Sequence, residues 1–430
     1  MSEFAGGDGP ALRADERRSF GFLPYFARQR REAVLNWQSP APPYLDSVPA
    51  IETVLVATRE ELAANGAWAK GFCGQYKDSR YYEIVEDTLH PEFRYRYFLL
   101  QDRTGETRGI QPFFVLDQDI LAGANDGVLK SAVESVRRRW PKFLSLRTLM
   151  IGCVAGEGHL DNRSLFANPS AARLLARAAL DEAKKERAGL VVFKEFPSVY
   201  RDMLKHVRED GFIRLPSLPM SSVSIAYKSF DEYMTKALSR ATRKDLRRKF
   251  KAAQCAALKM SVVEDATPFI DEIYPLYLNV YKRSKLHFEK LTKEYLCELG
   301  RRMPDKTRFF LWRQNGRVVA FNLCMVHDNT IYDQYIGLDY AVALDLHLYH
   351  YTIRDIMSWA IANGYHWYRS NGLNYDPKLH LRMQLDPLDL YVRHRSTAAN
   401  AVMKLVLPWL EPTQYDKHLK KFPNFNELRG

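Results

Sequence analysis

An aspartate interrupts an apolar strand pattern at Ile331-Tyr332-Asp333-Gln334-Tyr335-Ile336-Gly337. A carboxylate buried there is costly unless it is paired, either with a neighbouring tyrosine or with Arg369. Left in apolar surroundings it gains a raised pKa and the makings of a base. Alternation puts Asp333 on the face of Ile331 and Tyr335, which sets a candidate acid, Tyr335, beside the candidate base. A second group lies in the glycine-rich loop GCVAGEGHLDN (152–162), where glycines let backbone approach a ligand. It offers Glu157 as a substrate contact and His159 as a base, or else as an exposed loop histidine. Glu195 ends the strand LVVFKEF beside Lys194, at the sheet edge where α/β folds bind ligands. It reads as a base or as half of an edge ion pair. The polar loop NGLNYDPKLHLR (371–382) presents Asn371, Tyr375, Lys378 and Arg382 to an acceptor or a phosphate. Its other reading is a surface turn built on Asp376-Pro377. His347 and His350 open a helix three residues apart, on one face and near free N–H groups that suit a pyrophosphate. Packed histidines are the plainer reading, and with no third ligand nearby no metal is expected.

These residue types suit acyl transfer from a thioester to an amine. That reaction needs a base for the amine proton and a backbone N–H, often at a strand bulge, for the oxyanion. An acid such as a tyrosine serves the leaving thiol. No nucleophilic cysteine is required. Cys73, Cys153, Cys255, Cys297 and Cys324 sit in no activating context and are expected to be small buried residues. With no CxxC they argue against a disulfide scaffold or zinc ribbon and for a reducing compartment.

The elements that must position these groups repeat. FLLQDRTGETRGIQPFFVLD (98–117) and FFLWRQNGRVVAFNLCMVHD (309–328) each read strand, polar turn, strand. Each is followed by a strand ending in glycine, LRTLMIG (146–152) or IYDQYIG (331–337). Then come an amphipathic helix (171–187 or 346–362) and a further strand (190–196 or 366–370). A helix between two strands implies a crossover that pairs them in parallel. The second half adds a front end: a strand (221–227), a basic helix, a strand (258–264), then helices over 268–283 and 293–303. A strand (389–395) and an amphipathic tail (401–422) close it. Residues 1–50 read as an irregular arm with a short helix near 27–37.

Charge is concentrated. The chain of 430 residues holds 63 Lys plus Arg against 51 acids, a net of +12. Lys236–Lys251 (KALSRATRKDLRRKFK) holds eight basic residues and one acid. We read residues 230–254 as one helix with an apolar stripe. Its basic face, with Arg243, Arg247 and Arg248, is either solvated or meets phosphate or an anionic surface. Its aromatics lie on the apolar side, which disfavours stacking on nucleic acid.

The order strand, basic helix, strand, two helices, hairpin, strand, helix, strand resembles the GNAT acyltransferase fold. It is similar to tandem-GNAT proteins of the FemAB-like and BioF2-like N-acyltransferase group, and to bacterial ceramide synthases. SRATRKDLRRKFKAA (239–253), RFFLWRQNGRVVAFNLCMV (308–326) and residues 331–378 carry the resemblance. The family's Gln/Arg-x-x-Gly-x-Gly/Ala pyrophosphate loop is absent; Gly337–Asp345 stands there instead. The resemblance implies an α/β (α+β) chain of two tandem GNAT-like domains, each a mixed central sheet flanked by helices. They would span 51–215 and 216–430. It further implies an acyl-CoA donor, whose phosphates the basic face (Arg243, Arg247, Arg248) and the helix start at His347 would meet; Lys378 is placed as in Fem-like relatives. Asp333, His159, Glu195 and Tyr335 are the catalytic candidates; Glu157, Asn371 and Tyr375 are the substrate contacts.

Three functions fit: N-acylation of a small or lipidic (sphingoid) amine from acyl-CoA, transfer from aminoacyl-tRNA to a cell-envelope precursor, or non-catalytic binding of an acidic partner. No run of about 18 apolar residues is present to span a bilayer. The expected location is the cytoplasm, with the tail resting on the anionic inner membrane face.

Overall fold

The computed structural model describes residues 50–119, 139, 145–161, 165–166, 168–284 and 288–430. The expected arm and its helix near 27–37 lie outside these residues. Residues 48–430 form one compact unit.

The first sheet opens with β1 (Ile51–Ala57), then α1 (Arg59–Asn65), α2 (Ser79–Thr88) and the hairpin β2 (Arg94–Asp102)–β3 (Thr107–Asp119). β4 (Ser145–Ile151), α3 (Pro169–Lys185) and β5 (Leu190–Pro197) follow, with a short turn of helix α4 (Arg201–Leu204) and β6 (Ile213–Pro216). α3 starts at Asn168, which caps it, and buries an alanine-rich stripe from Ala171 to Ala183 against the sheet. The second sheet begins with β7 (Met220–Ser224), α5 (Phe230–Ala237), α6 (Arg240–Cys255) and β8 (Lys259–Val263). α7 (Ile270–Arg283) and α8 (Lys293–Arg302) lead to β9 (Thr307–Gln314), β10 (Arg317–His327) and β11 (Thr330–Leu338). α9 (Leu348–Ala362), β12 (Trp367–Ser370), α10 (Tyr375–His380), β13 (Gln384–Asp386), β14 (Leu388–His394) and α11 (Thr397–Val406) complete the chain.

Both repeats form mixed sheets. The strand orders are β1-β2-β3-β4-β5-β14-β6 and β13-β7-β12-β11-β10-β9-β8. In each, the crossover helix joins a parallel pair, β4 with β5 and β11 with β12. Three expectations need correction. The single helix over 230–254 is two helices, because Ser239 leaves helical geometry and caps α6 through the Thr242 N–H. And β14, though late in sequence, pairs with β5 and β6 of the first sheet. The first half also has a front end of its own, β1 to α2, in place of a bare hairpin start.

The two halves meet along a dense seam. The Tyr76 ring stacks on Tyr332 at 4.1 Å between centroids, and the hydroxyls of Tyr81 and Tyr295 lie 2.8 Å apart. Arg80 bonds Asp305 and Lys306 bonds Asp78, at 2.9 and 2.7 Å.

Candidate functional site

β11 is where the sheet geometry breaks. Its pairing with β12 runs from Thr330 only to Asp333, opposite Ser370. Beyond that point β11 continues to Leu338 with β10 alone as its strand neighbour among the described residues. At the same place the register with β10 slips: Cys324 faces Asp333, but Leu323 faces Tyr335. Gln334 is therefore the extra residue of a β-bulge, which leaves a backbone group out of the ladder and turns the next side chain over. This corrects the alternation argument. Asp333 points among Tyr368, Asn322 and Cys324, whereas the Tyr335 hydroxyl donates to Glu289 at 2.7 Å on the side of α7 and α8. Burial, then the charge of Glu289, pushes the Tyr335 phenol well above its ordinary range, so it is a weak acid there.

Asp333 is buried and accepts hydrogen bonds from the Tyr368 hydroxyl at 2.6 Å and the Asn322 amide at 2.8 Å. Of the two partners expected for it, it takes the neighbouring tyrosine; Arg369 turns instead to Asp386 at 2.9 Å. Burial pushes the Asp333 carboxyl up, while Tyr368, Asn322 and the charge of Lys378 oppose that rise. Lys378, 2% exposed, comes from α10 rather than from an open loop, and its ammonium donates to the carbonyl of Asn371. Burial pushes Lys378 down to about 7; the charge of Asp333 works the other way. Asn371 ties the parting strands together, its N–H reaching the Asp333 carbonyl at 3.3 Å and its side-chain amide the Gln334 carbonyl at 2.5 Å. Leu373 and Asn374 then take left-handed backbone conformations (φ +70° and +48°), costly for non-glycine residues and typical of functional loops.

The first half has the same parting of strands but fills it. β4 and β5 separate after Ile151 opposite Phe193. The loop from Gly152 then returns, and the Gly158 N–H bonds the Glu195 carbonyl at 3.1 Å. A Cβ at Gly158 would lie 2.7 Å from the Lys194 carbonyl, so glycine is required for that approach. Glu157 and His159 are buried in the seam. Glu157 accepts from the Tyr76 hydroxyl at 2.7 Å and lies 3.5 Å from Lys77 and from His159 and 3.6 Å from Arg369. Burial alone would raise the Glu157 pKa, but Lys77, His159 and Arg369 hold it well below the usual range. His159 also meets the Tyr200 hydroxyl at 3.2 Å. His159 is therefore not the exposed loop histidine of its plainer reading. Glu195 sits at positive φ (+55°) and forms the edge ion pair with Lys194 at 2.6 Å.

The remaining candidates scatter. Arg243 is spent on the carbonyls that end α5, Thr235 and Leu238, at 3.0 and 2.8 Å. Arg248 pairs with Asp245 at 2.8 Å, and Arg247 is exposed. His347 precedes α9 in a left-handed conformation without a side-chain cap bond, and His350 meets Lys249 at 3.3 Å. Tyr375 is buried with its hydroxyl on the Pro219 carbonyl, 2.8 Å away. Cys73 and Cys255 are exposed, against the expectation of five buried thiols; Cys153, Cys297 and Cys324 are buried. Among the described residues no cluster of metal-ligating side chains occurs. Sequence reasoning missed Asn322 and Tyr368. A polar residue inside the apolar run of β10 was the signal available for Asn322.

Residues 240–378 match the family model described as acetyltransferase (GNAT) domain. That segment runs from the first residue of α6 through the bulge and both parting strands to Lys378. No curated protein matches the chain in sequence. Among solved structures, FemX aligns at 12% identity over 83% of this chain and all of its own, with a TM-score of 0.50. L-PGS from Bacillus licheniformis aligns at 14% identity over 85% of this chain and 99% of its own, with a TM-score of 0.48. A tandem GNAT protein from the clavulanic acid biosynthesis pathway aligns at 8% identity over 80% and 99%, with a TM-score of 0.43. The two seven-stranded mixed sheets are those of a tandem GNAT fold.

Proposed function

We propose that this chain, an acyltransferase of the tandem GNAT fold, carries an acyl group from an acyl-CoA thioester to an amine at the parting of β11 and β12. The observation that carries the reading is the bulge at Gln334 with buried Asp333 and Lys378 beside it. The bulge supplies the backbone N–H that the oxyanion needs. The amine nitrogen bonds to the thioester carbon as Lys378, neutral in about half the molecules near pH 7, takes its proton. The C–S bond breaks and Lys378 returns that proton to the leaving thiolate, whose conjugate acid lies near pKa ~8.5. Asp333 holds Tyr368 and Asn322 in place and sets the field at Lys378.

The donor is assigned to the second half because the first half's own loop closes the equivalent opening. Glu157, His159 and Glu195 then serve the seam and the sheet edge. We divide the halves between residues 215 and 216; β14 is then a strand lent by the second half to the first sheet. The acceptor is proposed to be lipidic, of the sphingoid type, and reached at the cytoplasmic membrane face. Support for that comes from the exposed apolar side chains of the C-terminal segment.

A second reading, transfer from aminoacyl-tRNA, is favoured by α6, where Arg240, Lys244, Arg247 and Lys251 are exposed along one helix. Thiol release from long-chain acyl-CoA, measured with a sphingoid base and with short amines, tests the first reading. Turnover only with aminoacyl-tRNA, with binding that falls steeply in salt, supports the second. Thermal stability unmoved by either donor overturns both.

A further inference from the structure

A thioester donor must reach the parting of β11 and β12 from the end of the sheet where α9 begins. A crossover helix runs back from the exit of β11 to the start of β12, so its first turn lies at that end. A CoA thioester would be gripped there by its pyrophosphate, which a helix start binds through free N–H groups. This helix start has few free. The N–H groups of Val342, Ala343, Leu346, His347, Leu348 and His350 already bond carbonyls between Asp339 and His347. The same stretch carries two carboxylates, Asp339 and Asp345, and neither lysine nor arginine. Arg317 reaches it but pairs with Asp339, and Arg283 stacks over the Tyr340 ring at 3.6 Å. The loop in the pyrophosphate position is thus self-bonded and acidic. Free cations stand one helix away. α6 packs on the first turn of α9, with Phe250 edge-on to Tyr351 at 6.4 Å and Lys249 3.3 Å from His350. Arg243 is occupied by carbonyls, and Arg248 and Lys249 by Asp245 at 2.8 Å. Arg240, Lys244, Arg247 and Lys251 are exposed and make no ion pair among the described residues. Spaced by four, three and four residues, they form one stripe about 16 Å long.

We propose that α6 docks an acidic carrier protein, and that the thioester reaches the site on that protein's phosphopantetheine arm in preference to CoA. This rests on the thioester reading above and names the donor's carrier. The arm presents the same thioester as CoA but with a single phosphate in place of the pyrophosphate. It therefore asks less of the acidic loop, and affinity comes from charge complementarity between two protein surfaces. The chemistry is unchanged. The amine nitrogen bonds to the acyl carbon, the C–S bond breaks, and the thiol stays on the carrier with the proton that the amine gave up. CoA thioesters remain substrates, held less well. An RNA-borne ester would meet the same four charges, but it has no thiol to release, and no aromatic side chain stands among them for its bases. RNA is therefore the competing outcome of the test.

The test measures product formation from one acyl chain carried on pantetheine, on CoA and on a purified acidic acyl carrier protein, with the same amine and the full chain. The expected kcat/KM is at least about tenfold higher on the carrier than on CoA. The carrier's KM should rise with salt in the wild type, while that of acyl-pantetheine should not. The variant Arg240→Glu, Lys244→Glu, Lys251→Glu should keep the wild-type melting temperature, since all three side chains are exposed. It should raise the carrier's KM at least about tenfold and leave kcat/KM on acyl-pantetheine within about twofold. Equal use of carrier and CoA, a carrier KM indifferent to salt, or a variant that handles the carrier like wild type overturns the proposal and leaves the thioester reading standing. No product from any of these thioesters overturns that reading and the proposal with it. Loss of aminoacyl-tRNA binding in the variant, with the carrier inert, assigns the stripe to RNA instead.

Discussion

Replacing Lys378 with arginine keeps a positive charge at the site but removes the only state of the side chain that can accept a proton. If Lys378 is the base, turnover should fall to background in Lys378→Arg while acyl-CoA affinity holds within about twofold. The pH dependence gives the magnitude. With Lys378 at about 7, roughly one molecule in eleven is neutral at pH 6 and roughly ten in eleven at pH 8. The maximal rate should therefore rise about tenfold between those values and level off above them. A lysine left at its ordinary ~10.4 would instead give about a hundredfold rise over the same range, continuing past pH 9. Thiol release at saturating donor and acceptor measures this directly. The depressed pKa also costs stability. The unfolded chain holds a proton here that the folded one releases between about 7 and the ordinary lysine value, so stability rises with pH across that window. The cost is full below it, at most ~5 kcal/mol for a fully buried group. Lys378→Met should thus raise the melting temperature more at pH 6.5 than at pH 9.5, less whatever the lost bond to Asn371 contributed. Full activity in Lys378→Arg, or a rate that climbs steadily through pH 9, would sink the assignment.

Asp333→Asn should lower turnover by roughly 10²-fold with donor affinity intact, and move the rate midpoint to lower pH, because the charge of Asp333 raises Lys378. Unchanged turnover and midpoint would remove Asp333 from the site. Gly337→Ala places a Cβ 2.2 Å from the Phe321 ring and 2.7 Å from the Tyr277 nitrogen, so α7 must shift off the strand. A loss of about 1–3 kcal/mol in denaturant midpoints is expected. His350, pushed down to about 4 by burial and by Lys249, stays neutral in the folded chain. Stability should fall as pH drops from 6.5 toward 4, and His350→Phe should flatten that fall in acid titrations.

Much of this architecture was legible because it is periodic. Both hairpins, both crossover helices and the parallel pairs follow from apolar spacing and glycine punctuation. What was not legible depends on contacts between distant segments. The break at Ser239 is a local cap inside a continuous apolar stripe, so periodicity runs across it. The bulge at Gln334 leaves no mark in composition, yet it decides that Asp333 and Tyr335 face opposite sides. β14 continues the second half in sequence but finds its partners in the first sheet. The polarity of its loop and the resemblance both single out Lys378, as a contact for an acceptor or a phosphate. Its burial, which lowers its pKa and changes its proposed chemistry, is a property of the folded loop alone.

The duplicated halves have unequal work if the donor sits on the second. In the first half the loop from Gly152 to Asp161 bonds back to β5 and seals the strands it follows. The same loop carries Gly156 to the seam, where an added Cβ would meet the Lys77 ammonium at 2.7 Å and the Gln334 side chain at 3.9 Å. Gln334 is the bulge residue. The loop that closes one opening therefore runs beside the residue that shapes the other, and Tyr76 stacks on Tyr332 two positions before it. A half kept only as a copy would be free to drift at that contact. Gly156, at φ +78°, is held to glycine by its backbone, and the buried cluster of Lys77, Glu157 and Arg369 ties this loop to β12.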